Sequence, residues 1–134
     1  MNIGGFVVQP FYLPHNDTLN FGYLIEHPEM GKLLFMTDME YCKYDFSGLH
    51  VDHLLLEANY DMELVDRIIP NYEQKLLGHC SIQTACGIIR ANRSTELKNV
   101  ILCHLGAFSD NISFIAEAEK ADTGGVFYVG LMPF

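Results

Sequence analysis

The sequence predicts a mixed α/β layer in which short buried strands end on ligand-type side chains. Two observations carry that prediction. The run Leu33, Leu34, Phe35, Met36 is apolar without alternation, as a strand buried on both faces reads, and it stops at Asp38. Halfway along the chain the rhythm then changes, from closely spaced strand-like runs to helix-spaced apolar residues behind capping side chains. The expected order is β-β-β-β-α-α-β-α-β, with site residues where strands leave the sheet.

Each element follows from local chemistry. Residues 5–13 are β-rich and close on the turn cluster Pro14, His15, Asn16, Asp17. Residues 21–26 form a second strand, and His27, Pro28, Glu29, Met30 and Gly31 a hairpin-like loop into a third strand over 32–37. These short strands predict an antiparallel ribbon feeding a larger sheet. A loop over 45–49 leads to a strand over 51–57, whose Leu54, Leu55 and Leu56 read as buried. Asp61 caps a helix to about residue 69, with Leu64, Val65, Ile68 and Ile69 on one face and Pro70 as the stop. Ser81 caps a second helix over 82–92, turning Ile82, Ala85, Cys86 and Ile89 inward. Residues 99–103 are a buried strand that ends on His104. Asp110 or Ser109 caps a helix to Lys120, and 126–129 is the last strand. No internal repeat, low-complexity tract or linker is present.

A chain of 134 residues is one ordinary domain with room for a core. The formal net charge of −9 argues against a generic nucleic-acid binder, whose footprint is basic. It leaves room for an enzyme acting on phosphate esters, because bound divalent metals reverse the local field. Cys42, Cys80, Cys86 and Cys103 form no CxxC pair and no zinc-ribbon spacing, so reduced thiols are expected and a disulfide framework is not. No segment approaches the roughly 20 apolar residues of a membrane span, and the N-terminus lacks a basic secretory start. A cytoplasmic location without membrane partners is the expectation.

Three side chains at the ends of apolar runs, His15, Asp38 and His104, have the donor chemistry of a divalent-metal site for zinc, manganese or iron. An aspartate in that place also serves as a turn residue or helix cap. Gly78 and His79 precede the Ser81 cap. There a glycine lets backbone approach a ligand, and a histidine can hold a phosphate oxygen or protonate a leaving group. A tight turn with an exposed histidine gives the same pattern. Glu57, which opens Glu57-Ala58-Asn59-Tyr60-Asp61, is placed to accept from a ligand histidine. His50, Asp52 and His53 resemble a metal motif, but on a strand His50 and Asp52 face one side and His53 the other, so they read as strand entry. His27, beside Pro28, reads as solvated.

The order of these signals resembles a known family. Pro14-His15-Asn16-Asp17, Gly22-Tyr23-Leu24-Ile25, Thr37-Asp38, Leu56-Glu57-Ala58-Asn59-Tyr60-Asp61, Gly78-His79-Cys80-Ser81 and Leu102-Cys103-His104-Leu105 look like the C-terminal half of the metallo-β-lactamase fold. The branch they resemble contains ribonuclease Z, YycJ-type proteins and the phosphoribosyl cyclic phosphodiesterases. The resemblance covers nearly the whole chain. It implies half of an αββα sandwich: a mixed β-sheet with helices on its outer face, as a single partial domain over 1–134. It implies that His15 binds one metal, that Asp38 bridges two, and that His104 is the last ligand, on the second metal. His79 corresponds to the histidine that contacts the scissile phosphate and assists the leaving group. Relatives often read Glu-x-Asn-His-Asp where this chain has Tyr60 in place of the histidine.

The family's first metal motif, His-x-His-x-Asp-His, is nowhere in the sequence, and only fourteen residues precede His15. The chain thus supplies about half the ligands of a site that holds two zinc or manganese ions. The expectation is a metal-dependent hydrolase of phosphodiester bonds, incomplete as this chain alone, acting on a phosphoester or nucleic-acid substrate. It reads as a fragment, a split half or a degenerate relative. The rival is a non-catalytic binding or assembly module that keeps the fold. In the full family fold two halves pack sheet to sheet, so an N-terminal half or a homo-oligomer is the expected partner. Phe6, Val8, Phe11, Leu34 and Met36 are the expected contact face.

Overall fold

The apolar runs of the sequence lie side by side in one sheet. A computed structural model describes residues 1–68, 78–106 and 126–129. They contain β1 (Asn2–Ile3), β2 (Phe6–His15), β3 (Thr18–His27), β4 (Gly31–Met36), β5 (His53–Glu57), β6 (Asn99–Cys103) and β7 (Val126–Val129), with helices α1 (Met62–Ile68) and α2 (Ile82–Ala91) between β5 and β6. Strand order in the sheet is the order of the chain. β1 to β4 pair antiparallel, as the ribbon expectation has it, and β4 to β7 pair parallel. The helix expected up to Lys120 lies outside the described residues.

Register explains why the central strands read as unbroken apolar runs. Leu24, Leu34, Leu54 and Val100 stand opposite one another on β3 to β6, and Met36, Leu56 and Leu102 form the next row. All seven are buried and pack with Ile82, Ala85, Cys86 and Ile89 of α2 and with Leu13, Met39 and Val51. Burying each large side chain stabilises the fold by about 1.5–3 kcal/mol. The α2 cap is as expected: Ser81 Oγ accepts from the Thr84 N–H at 3.1 Å.

The alternate residues populate the opposite face. Val8, Ile25 and Leu33 form one row, and Tyr23, Phe35, Leu55 and Ile101 another, all half-buried. Of the expected contact residues, Val8 and by alternation Phe6 lie on this face, the apolar surface turned away from α2, and the other three do not. Leu34 and Met36 are fully buried in the helix-covered core, and Phe11 packs at its margin against Phe46 at 4.8 Å. A one-residue shift of register moves a strand's whole set of side chains to the other face, which is why the sequence could not choose.

The β2–β3 hairpin closes on the two-residue turn Asn16-Asp17, where φ is 39° and 59°. Asn and Asp tolerate the left-handed conformation that such a tight hairpin turn requires. Pro14 lies inside β2 and does not end it. Val8 N–H donates outward to Met1 O at 2.8 Å, so by alternation Pro10, Tyr12 and Pro14 also present their nitrogens to the sheet's outer edge. A proline there loses no ladder bond.

At the far end of the sheet, Asp52 joins three strands. Its carboxylate accepts from Lys32 N–H and Lys98 Nζ, both at 2.8 Å, and His53 bridges Met30 O and Asn99 Nδ2. His50, exposed and left-handed at φ 49°, meets Glu96. His27 is half-buried against Phe6, and accepts from Glu29 N–H, where the sequence reading had it solvated. The four cysteines are free, and three of them are buried.

Candidate metal centre

Strands that run parallel deliver their C-terminal ends to one edge of the sheet, and ligand-type residues collect there. Asp38 follows β4, Glu57 is the last residue of β5, and His104 follows β6, while Glu57 stands opposite Cys103 in register. His79 arrives on the turn before α2, and His15 is the last residue of β2. One donor atom each from Asp38, Glu57, His79 and His104 lies within 4.8 Å of the others.

Backbone conformation aims two of these residues. Asp38 and His104 are left-handed, at φ 51° and 56°. In each case an asparagine amide secures the residue's own carbonyl: Asn20 Nδ2 donates to Asp38 O at 2.6 Å, and Asn59 Nδ2 to His104 O at 2.9 Å. Asp and His enter that conformation more readily than most non-glycine residues, and the two amides hold them in it. Asn20 also reaches Thr37 O, and Asn59 is pinned through its backbone to Cys80 O and Gly106 N.

Glu57 is the hub. Its side chain is 0 % exposed, Oε2 accepts from Met39 N–H at 3.0 Å, and Oε1 accepts from His79 Nδ1 at 2.6 Å. His104 Nδ1 stands 3.1 Å from both Glu57 Oε1 and Asp38 Oδ1. Burial pushes the Glu57 carboxyl above its ordinary range, and the Met39 N–H and the two imidazoles work against that rise. With Nδ1–H given to Glu57, the Nε2 of His79 is the ring nitrogen that carries the lone pair.

The sequence-predicted ligands are all at this end of the sheet, but not in one shell. His15 Nδ1 donates to Gly78 O at 2.6 Å, and its ring lies 5.5 Å from that of His79, outside the group of converging donors. The His104 ring is 5.2 Å from that of His79, and both contacts are edge-on. Gly78, at φ 95°, permits this: a Cβ there would stand 2.6 Å from His15 Nδ1. Sequence reasoning missed Asn20 and the Asn59 clamp. Asn59 fell inside a segment already singled out, whereas nothing around Asn20 signals that it meets a carbonyl 18 residues away.

The donor types fit a divalent metal, although the contacts of 2.6 and 3.1 Å among them are hydrogen-bond lengths. Imidazole nitrogens and carboxylate oxygens suit zinc and manganese, and donors around an ion bound at about 2.0–2.2 Å stand roughly 3.3–4.4 Å apart. Burial, with the Glu57 charge second, pushes the Cys80 thiol up and the Cys103 thiol up to about 11.

No protein-family model matches the chain, and no curated protein matches it. Among solved structures, the metallo-beta-lactamase fold protein YhfI from Bacillus subtilis matches with a TM-score of 0.71 and 16 % identity. The match covers 100 % of this chain and 50 % of YhfI, so the chain spans about half the length of the structure it resembles. Half of a metallo-β-lactamase fold, with a mixed sheet, is thus the architecture of this chain. No described helix is long and apolar enough to cross a membrane.

Proposed function

We propose that this half-fold is the C-terminal part of a metal-dependent hydrolase of phosphodiester bonds, of the branch that includes ribonuclease Z, YycJ-type proteins and cyclic phosphodiesterases. The observation that carries the reading is the convergence of Asp38, Glu57, His79 and His104 at the ends of β4, β5 and β6 and before α2. Asp38, His15 and His104 hold zinc or manganese, two ions when an N-terminal half brings the His-x-His-x-Asp-His ligands. Bound metal supplies Lewis acidity at phosphorus and lowers the pKa of the attacking water. The protein's own part is orientation. Glu57 keeps the Nδ1 proton of His79, which turns Nε2 toward the phosphate, where it holds an oxygen or gives a proton to the leaving group. The net charge of −9 favours a small phosphoester over long duplex nucleic acid, and free thiols suit the cytoplasm.

The absent motif supports a second reading, a binding or assembly module that retains the fold without the chemistry. Hydrolysis of bis(p-nitrophenyl) phosphate with zinc or manganese separates them. The chain combined with a half carrying His-x-His-x-Asp-His should turn over, and Asp38→Ala and His104→Ala should each lower the rate at least 100-fold. A combined, folded, metal-loaded assembly that leaves phosphodiesters intact, and binds them without cleavage, supports the module instead.

A further inference from the structure

A cleft of about 360 Å³ opens between the loop that follows β4 and one side of α2, and it shares no lining residue with the metal centre. We infer that this cleft binds a small organic amine, with its apolar body between the tyrosine rings and the helix and its ammonium donating to Asn92 Oδ1. The inference is independent of the hydrolytic reading and holds whether or not the protein cleaves phosphodiesters.

The loop wall is tied down at both ends. Glu40 N–H donates to Pro14 O at 2.9 Å, and Glu40 Oε1 accepts from Asn16 N–H at 2.7 Å. Farther on, Phe46 packs against Phe11 at 4.8 Å, and Tyr44 meets the same ring edge-on at 5.6 Å. Facing the loop, Thr84, Gly87, Ile88 and Ala91 recur three and four residues apart, so they share one side of α2. That side lies beside the one that sends Ile82, Ala85, Cys86 and Ile89 into the core. A cavity of this size with an apolar lining and a few polar groups is of the kind that takes small molecules.

Two residues of the cleft are not explained by folding. Gly87 stands inside α2, where glycine is less favourable than alanine. Its φ is not left-handed, and a Cβ there would meet nothing within 4 Å. Neither backbone conformation nor close packing calls for a glycine, and its missing side chain leaves the floor of the cleft open. Asn92 is buried, at 6 % exposure, and its Nδ2 donates to Ile88 O at 2.9 Å, which fixes the orientation of the amide. The buried Oδ1 accepts from no group among the described residues. A buried acceptor without a donor is costly, and a ligand N–H supplies one.

The charge of the site selects the class of ligand. Asp45 is the only charged side chain among the described residues that line the cleft. The Ser47 hydroxyl and then its N–H hold the Asp45 carboxyl below its ordinary range, which keeps it anionic. Tyr41 and Tyr44 are both exposed, and the face of an aromatic ring attracts cations. The Tyr44 ring already does so, since Lys43 Nζ lies 5.3 Å from its centroid. Carboxylate, ring faces and an amide oxygen together favour a cationic donor and disfavour an anion, as does the net charge of −9.

Titration of the isotope-labelled 134-residue chain with benzylamine tests this, read by amide chemical shifts and by calorimetry. Saturation at one benzylamine per chain is expected below about 10 mM, with shifts concentrated at residues 41–46 and 84–92. Benzyl alcohol lacks the charge and benzoate reverses it, and both should bind at least fivefold more weakly. Gly87→Leu fills the floor and should weaken benzylamine at least tenfold, with circular dichroism verifying the fold. Should Gly87→Leu not fold, Asp45→Asn decides: it should weaken benzylamine at least threefold and leave benzyl alcohol unchanged. No saturation, shifts outside those two stretches, benzyl alcohol or benzoate bound as tightly as benzylamine, or undiminished binding by either folded variant would each overturn the inference.

Discussion

Asp38 carries two demands that one substitution series can separate. Its carboxylate is a ligand candidate, and its backbone sits at φ 51°, where a β-carbon costs about 1–2 kcal/mol. Asn accepts that conformation and lacks the charge, while Val accepts neither. Asp38→Asn is expected to keep the thermal midpoint within a few degrees and to lose metal affinity. Asp38→Val is expected to lose affinity and also about 1–2 kcal/mol of stability in denaturant unfolding. At this scale the sequence was legible where a candidate closes an apolar run, as Asp38 and His104 do, because the end of a strand is also the end of a pattern. It was not legible where position depends on a long-range hydrogen bond. Asn20 to Asp38 O, and His15 to Gly78 O across 63 residues, leave no mark on local composition. Glu57 was singled out as an acceptor for a histidine, and it meets two imidazoles, His79 and His104.

Among the elements, the junction of β4, β5 and β6 at Asp52 gives a pH-dependent prediction. The Lys98 ammonium and then the Lys32 N–H hold the Asp52 carboxyl below its ordinary range. A carboxyl depressed in the folded state binds protons more weakly there than in the unfolded chain. Its contribution is therefore full above the unfolded value, about 3.9, and is lost as pH falls through the lower folded value. Asp52→Asn should cost about 1 kcal/mol at neutral pH and nothing at the acid end, so urea midpoints of the two chains measured from pH 7 down to pH 2 should converge. Element bounds were legible to differing degrees, for physical reasons. The β6 and β7 runs end on polar or glycine neighbours and fall where expected, over Asn99–Cys103 and Val126–Val129. β2 runs two residues past its expected end because Pro14 sits at an outer edge, where its missing N–H is harmless. β1 is two residues long and carries no periodicity to read.

For the whole molecule, the two faces of one sheet should respond differently to the same change. Leu54 is 0 % exposed under α2, and its neighbour Leu55 is half-buried on the opposite face. Leu54→Ala should cost about 2–5 kcal/mol and Leu55→Ala about 1 kcal/mol or less, compared by denaturant midpoints. The mixed layer itself was legible, because strands apolar on both faces require cover on both faces. Which residues lay on which face was not, since period-two alternation is silent when every position is apolar, as in Leu33 to Met36. The prolines of β2 bear on how such a surface can be covered. Beyond Val8 only Tyr12 has a nitrogen able to donate along that rim, and Pro14 O is already taken by Glu40 N–H at 2.9 Å. Two prolines thus act as a lock on lateral growth: they leave that stretch of the border short of the donors a further strand would need.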